Sequence, residues 1–161
     1  MPELLASSAL QDALGQSPSG RSRTPGAQWE MTLTVTERGI GDIRRAVRAQ
    51  LQRWGREEAG AVTLLGVSEL LTNVLRHART PDARIAVRAG ANGVYVVVSD
   101  LDRRLPVIRA TGPLSEDGRG LAMLEALADV FGVTATPSGK DVWFRVACAE
   151  VRLPGGPGGS T

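Results

Sequence analysis

Apolar residues recur along this chain with two different periods, and the switches between them lay out the elements. Residues 29 to 36 alternate apolar and polar, which predicts a strand. Ile40, Ile43, Val47, Leu51 and Trp54 then mark one face of a helix that stops near Gly55. Val67, Leu70, Leu71, Val74, Leu75 and Ala78 fall at three- and four-residue steps. They predict a second helix from about residue 61 to 77, which Pro81 helps to end. Ala83, Ile85, Val87 and Ala89 alternate with Arg84, Ala86 and Arg88, Asn92-Gly93 supplies a turn, and a return strand runs from 94 to 99 or 100. A loop rich in Arg, Pro and Gly continues to about Gly118. Leu121, Leu124, Leu127 and Phe131 outline a third helix, and residues 133 to 136 and 142 to 151 form a second hairpin across Pro137-Ser138-Gly139-Lys140. The order is strand, two helices, two strands, loop, helix, two strands. It predicts an α+β two-layer sandwich, a mixed but mainly antiparallel sheet covered on one face by three helices.

The flanks have a different composition. Residues 1–27 mix Ser, Gly, Pro and Arg and are expected to form a disordered arm, in which Leu4, Leu5, Leu10 and Leu14 could make a transient helix. Residues 28–152 form the expected domain, and 153–161, with Pro154-Gly155-Gly156-Pro157, a flexible tail. A length of 161 residues suits one domain with a real core. No apolar run approaches the expected length of a membrane span, and no charged and apolar leader opens the chain, so a cytoplasmic location is expected. Cys148 is the sole cysteine, which excludes an intrachain disulfide and a cysteine zinc cluster. It shares a strand face with Val142, Phe144 and Val146 and reads as core filler. Net charge is +2, the basic residues are arginines apart from Lys140, and aromatics are scarce, so nucleic-acid binding is unsupported.

Three places carry polar groups that invite chemistry. On the second helix Glu69, Asn73 and His77 stand four residues apart, in a row spaced roughly 6 Å along the axis. On that helix alone the row equally fits a solvated amphipathic face. Asp100 has the same parity as Val94, Val96 and Val98, so it ends an inward-facing row and needs donors. An N-cap, Arg103 or Arg104, or a ligand would supply them, and strands also end on Asp for turn reasons. Third, Gly118-Arg119-Gly120-Leu121 puts glycines directly before a helix, where unpaired N–H groups suit phosphate oxygens; a merely flexible helix start fits as well. Neither the Walker A loop nor the Rossmann glycine pattern is present.

Taken together these motifs resemble the GHKL ATPases, the superfamily of gyrase and histidine-kinase catalytic domains. Glu69-Leu70-x-x-Asn73-x-x-x-His77-Ala78 resembles the N-box, and Asp100 followed by Pro106 a degenerate first glycine box. Gly118-Arg119-Gly120-Leu121 through Val133 resembles the second box, and Gly139-Lys140-Asp141-Val142-Trp143-Phe144 the third. The closest likeness is to small bacterial anti-sigma-factor serine/threonine kinases, over roughly residues 29 to 151.

That resemblance implies ATP and Mg²⁺ as cofactors. It gives Asn73 the metal, Glu69 the proton of an attacking serine hydroxyl, and Asp100 the adenine amino group. Gly118, Arg119, Gly120 and Leu121 would close on the phosphates, Arg76 and His77 would add charge or hydrogen bonds there or serve packing, and Pro106 and Gly139 would complete the pocket. The implied partners are a sigma factor and an anti-sigma antagonist protein, with no membrane and with a homodimer compatible. The alternative is a non-catalytic nucleotide-binding regulator acting by protein binding. Two departures bear on the choice. The first box runs Leu101-Asp102-Arg103-Arg104-Leu105-Pro106 without glycines, and Asp141 stands where the third box has Thr, which is expected to set a carboxylate against the phosphates. With His77 the only histidine, the chain carries no separate phospho-acceptor histidine.

Overall fold

The computed structural model describes residues 27–102 and 119–148, with the side chains from 120 on in the second stretch. The expected arm, the tail, Arg103, Arg104, Pro106, Gly118 and the strand end beyond 148 lie outside these residues.

Strand β1 (Gln28–Thr34) leads into helix α1 (Glu37–Arg53), and a single 3₁₀ turn (Glu57–Ala59) precedes helix α2 (Gly60–His77). Both ends of α1 are set locally. The Thr36 hydroxyl accepts from the Gly39 N–H at 2.9 Å, which caps the first turn. At the other end Gly55 adopts φ of 66°, while the Arg56 N–H donates to the Leu51 carbonyl and the Gly55 N–H to that of Gln52. This is a Schellman stop, available because glycine takes the left-handed conformation without steric cost.

Strands β2 (Asp82–Gly90) and β3 (Gly93–Asp100) form the first hairpin. Helix α3 (Arg119–Leu127) precedes strands β4 (Val130–Ala135) and β5 (Lys140–Val146). The sheet order is β1-β2-β3-β5-β4, with every neighbouring pair antiparallel. The α+β sandwich is therefore the observed architecture. Ile85, Val87, Val94, Val96, Val98, Val142, Phe144 and Val146 form one core with Ile43, Val47 and Leu51 of α1, Val67, Leu70, Leu71 and Val74 of α2, and Leu121 and Leu124 of α3. All of these strand residues share one sheet face, the face that the helices cover. Cys148 packs against this core, and burial pushes its thiol up from the ordinary range, as befits a filler rather than a nucleophile.

Three expectations need correction. Phe131 does not continue the third helix; it lies in β4 opposite Phe144, and the helix ends at Leu127. The tip of the first hairpin is Ala91-Asn92, and Gly93 is already the first residue of β3, paired with Gly90. Gly93 takes φ of 135°, and a side chain there would also collide with the Val146 carbonyl of β5, so the position suits glycine on both counts. Finally, residues 57 to 77 do have the length and mean hydropathy, 1.2, of a membrane span. Their apolar residues are spent on the sheet: Leu64, Val67, Leu70, Leu71 and Val74 are all buried there. The same helix comes so close to β5 that a methyl group at Gly66 would overlap the Phe144 ring.

Candidate nucleotide site

Helix α2 turns its apolar stripe to the sheet, which leaves Glu69 and Asn73 half-buried beside that stripe and one turn apart. Glu69 is held from its far side. A methyl group at Gly120 would overlap its carboxylate, so the side chain lies directly against the main chain in the first turn of α3. Burial raises the Glu69 carboxyl above its ordinary value, and the positive charge of Arg76 partly offsets this. The structure thus joins two of the sequence motifs, the helix row and the glycine-flanked helix start, into one wall. The Leu121 side chain turns into the core, at 2% exposure. Arg119 is the first residue of α3. Arg76 and His77 stand exposed on the last turn of α2, each engaged with other groups, where positive charge suits the negative end of the helix dipole.

Asp100 ends β3 facing the helix layer, as its parity with Val94, Val96 and Val98 predicts. Among the described residues its donors come from the neighbouring strand and from its own turn. Register places Lys140 directly opposite on β5, and the Lys140 ammonium lies 3.1 Å from Asp100 Oδ1 and 3.0 Å from Oδ2. The Asp102 N–H donates to Oδ1 at 2.8 Å, and Lys140 also donates to the Asp102 carbonyl at 2.9 Å. Only 5% of the Asp100 side chain and 9% of the Lys140 side chain are exposed. Gly139 makes this closeness attainable, since a side chain there would collide with the Asp100 carbonyl.

Lys140 is the partner of Asp100 that sequence reasoning missed. The available signal was parity: Lys140 shares its face with Val142 and Phe144, so a charge there had to find a buried partner. The same parity corrects the expectation for Asp141. It pairs with Ser99 and Thr134 on the opposite sheet face, away from the helices, so it sets no carboxylate against ligands on the helix side.

Among the described residues no three His, Cys, Asp or Glu side chains converge as a metal cluster. A Mg²⁺ ion carried in on phosphates needs only one or two protein oxygens, and the half-buried Asn73 amide is a fitting one.

Comparison with curated proteins gives no match. The family model of the histidine kinase-like ATPase domain matches residues 33–146, from the end of β1 to the end of β5, and so takes in α2, the Asp100 end of β3, α3 and the last hairpin. By that match, which supports ATP as its ligand, the chain belongs to the histidine kinase-like ATPase domain family.

Proposed function

We propose that this chain binds ATP together with Mg²⁺ and transfers the γ-phosphoryl group to a serine or threonine of a small antagonist protein. On the same reading it holds a sigma factor through another surface, in the cytoplasm. The observation that carries the proposal is the Glu69 carboxylate seated against Gly120, with Asn73 one turn further along α2. The Asn73 amide oxygen would hold Mg²⁺, which when bound offsets the negative charge of the phosphates. Glu69 takes the proton of the substrate hydroxyl as its oxygen bonds to the γ-phosphorus and the bond to the β,γ-bridging oxygen breaks, with ADP leaving. A carboxyl raised by burial is the better base for this step, and such a base contributes ~10²–10⁴ in rate. Incubation with labelled ATP and candidate antagonist proteins tests the reading. Glu69→Ala should abolish transfer while leaving nucleotide affinity within about twofold of wild type. Equal labelling by the variant, or no ATP affinity in the folded wild type, would sink the proposal.

A second reading, a non-catalytic regulator that works by protein binding, draws support from Lys140, whose ammonium occupies the carboxylate expected to read adenine. It requires the wild type to give no labelled product while still binding its partner.

A further inference from the structure

The sheet has a second face. Among the described residues all three helices lie on one side, so side chains of the opposite parity point away from them. Register sets those side chains in cross-strand rows. Ala86, Val97, Trp143 and Gly132 form an apolar row, with Arg88, Tyr95 and Arg145 on one flank and Arg84, Ser99, Asp141 and Thr134 on the other. At the β1 margin Gln28, Glu30, Thr32 and Thr34 are exposed, as a bare face requires. The centre is not bare. Tyr95 and Val97 are each 8% exposed and Trp143 only 5%, although Trp143 lies over a glycine, Gly132. These are exposures within one chain, so what closes over them belongs to that chain. On the same face the Trp143 indole N–H, Arg145 Nε and Thr134 Oγ1 are buried without a hydrogen-bond partner.

We infer that residues 1–26 fold back over this outer face, with Leu4, Leu5, Leu10 and Leu14 against Tyr95, Val97 and Trp143. Two other stretches suit the place less well. Residues 103–118 leave β3 at its far end from Tyr95 and must return to α3 on the helix side. Residues 149–161 offer only Val151 and Leu153 before a glycine-rich end, whereas residues 1–26 carry four leucines. Charge agrees: residues 1–15 hold Glu3 and Asp12 and no Lys or Arg, against Arg88 and Arg145 on the face. Reach agrees too. The Ala27 carbonyl accepts from the Ala89 N–H, so the arm departs beside the row of Arg88, Tyr95 and Arg145. Three strand spacings to β5 are roughly 14 Å, and a coil from Ala27 back to Leu14 spans roughly 20 Å. Main-chain carbonyls crossing Trp143 and Arg145 answer their unpaired donors. A tethered segment acts at an effective concentration in the millimolar range, so a weak contact keeps the face closed.

Two measurements on the full chain test this. Photoreactive p-benzoylphenylalanine in place of Ser99, at the rim of the face beside Val97, is irradiated in a mixture of unlabelled and heavy-isotope chains. Crosslinks should join it to residues 1–26 of its own chain. Crosslinks to residues 103–118 or 149–161, or chiefly between unlabelled and heavy chains, overturn the inference. In a Trp29→Phe, Trp54→Phe background, where Trp143 is the sole tryptophan, Leu10→Asp with Leu14→Asp should move its emission to longer wavelength. The same pair should raise its quenching by acrylamide roughly twofold or more, because aspartates cannot be buried there unpaired. Quenching unchanged in the folded variant overturns the inference whatever the crosslinks show, and decides the matter if no crosslink forms. If the tryptophan-depleted background fails to fold, the crosslinks alone decide, and none at all then counts against it.

Discussion

Glu69 couples the proposed chemistry to stability through a single proton. Its carboxyl is raised above the ordinary 4.5, with burial the main cause and Arg76 opposing it. The folded chain therefore holds that proton more tightly than the unfolded chain does. The stabilisation is complete below the ordinary value and is lost as pH rises through the raised one. Glu69→Gln cannot ionise, so it should melt slightly above wild type at neutral pH and level with it in acid, a gain kept small by solvent screening at this half-exposed site. Thermal melts at the two pH values check the sign, and equal differences at both would contradict it. Arg76→Ala removes the opposing charge and should move the acid limb of the transfer rate to higher pH.

At the scale of elements, the contact of α3 with α2 is a test of whether position or mere presence of Glu69 matters. Gly120→Ala would drive a methyl group into the Glu69 carboxylate, which is the free end of a flexible side chain. The carboxylate can swing aside, so the expected outcome is a folded protein, within about 1 kcal/mol of wild type, that has lost ~10²-fold or more of its transfer rate. Chemical denaturation and a transfer assay on the same sample separate the two effects. The helices and the first hairpin were legible in the sequence because their signals are local: a stripe, a cap, a turn. The pair Glu69 and Asn73 was legible for the same reason, one helical turn being a fixed distance. Phe131 was misread because it falls four residues after Leu127 and so mimics the helical stripe. Leu127 is in fact 51% exposed, and only the pairing with β5, which opens with Val130 opposite Arg145, shows where the strand begins. The meeting of Glu69 with Gly120 was not legible, since nothing in either motif fixes how two helices pack.

Across the whole molecule, the pairing of Asp100 with Lys140 joins distant parts of the chain. The partners lie 40 residues apart, one closing β3 and the other opening β5, so their ion pair pins the β4–β5 hairpin to the end of the central strand. Such a pair is set by sheet register, and one slip in that register would turn Lys140 to the other face; this is why periodicity in either strand alone could not announce it. Asp100→Asn, a substitution one would first choose to weaken nucleotide binding, is therefore expected to weaken the fold as well. It leaves the Lys140 ammonium buried without its counter-charge, at a cost of about 3–5 kcal/mol. Replacing both partners, Asp100→Asn with Lys140→Met, removes the orphaned charge and should recover most of that loss, because the desolvation of two ions offsets much of what their attraction supplies. Urea denaturation of wild type, both single variants and the double variant closes the cycle. A coupling energy near zero would mean that the ammonium and carboxylate are not paired in solution, which would free Asp100 for the adenine amino group.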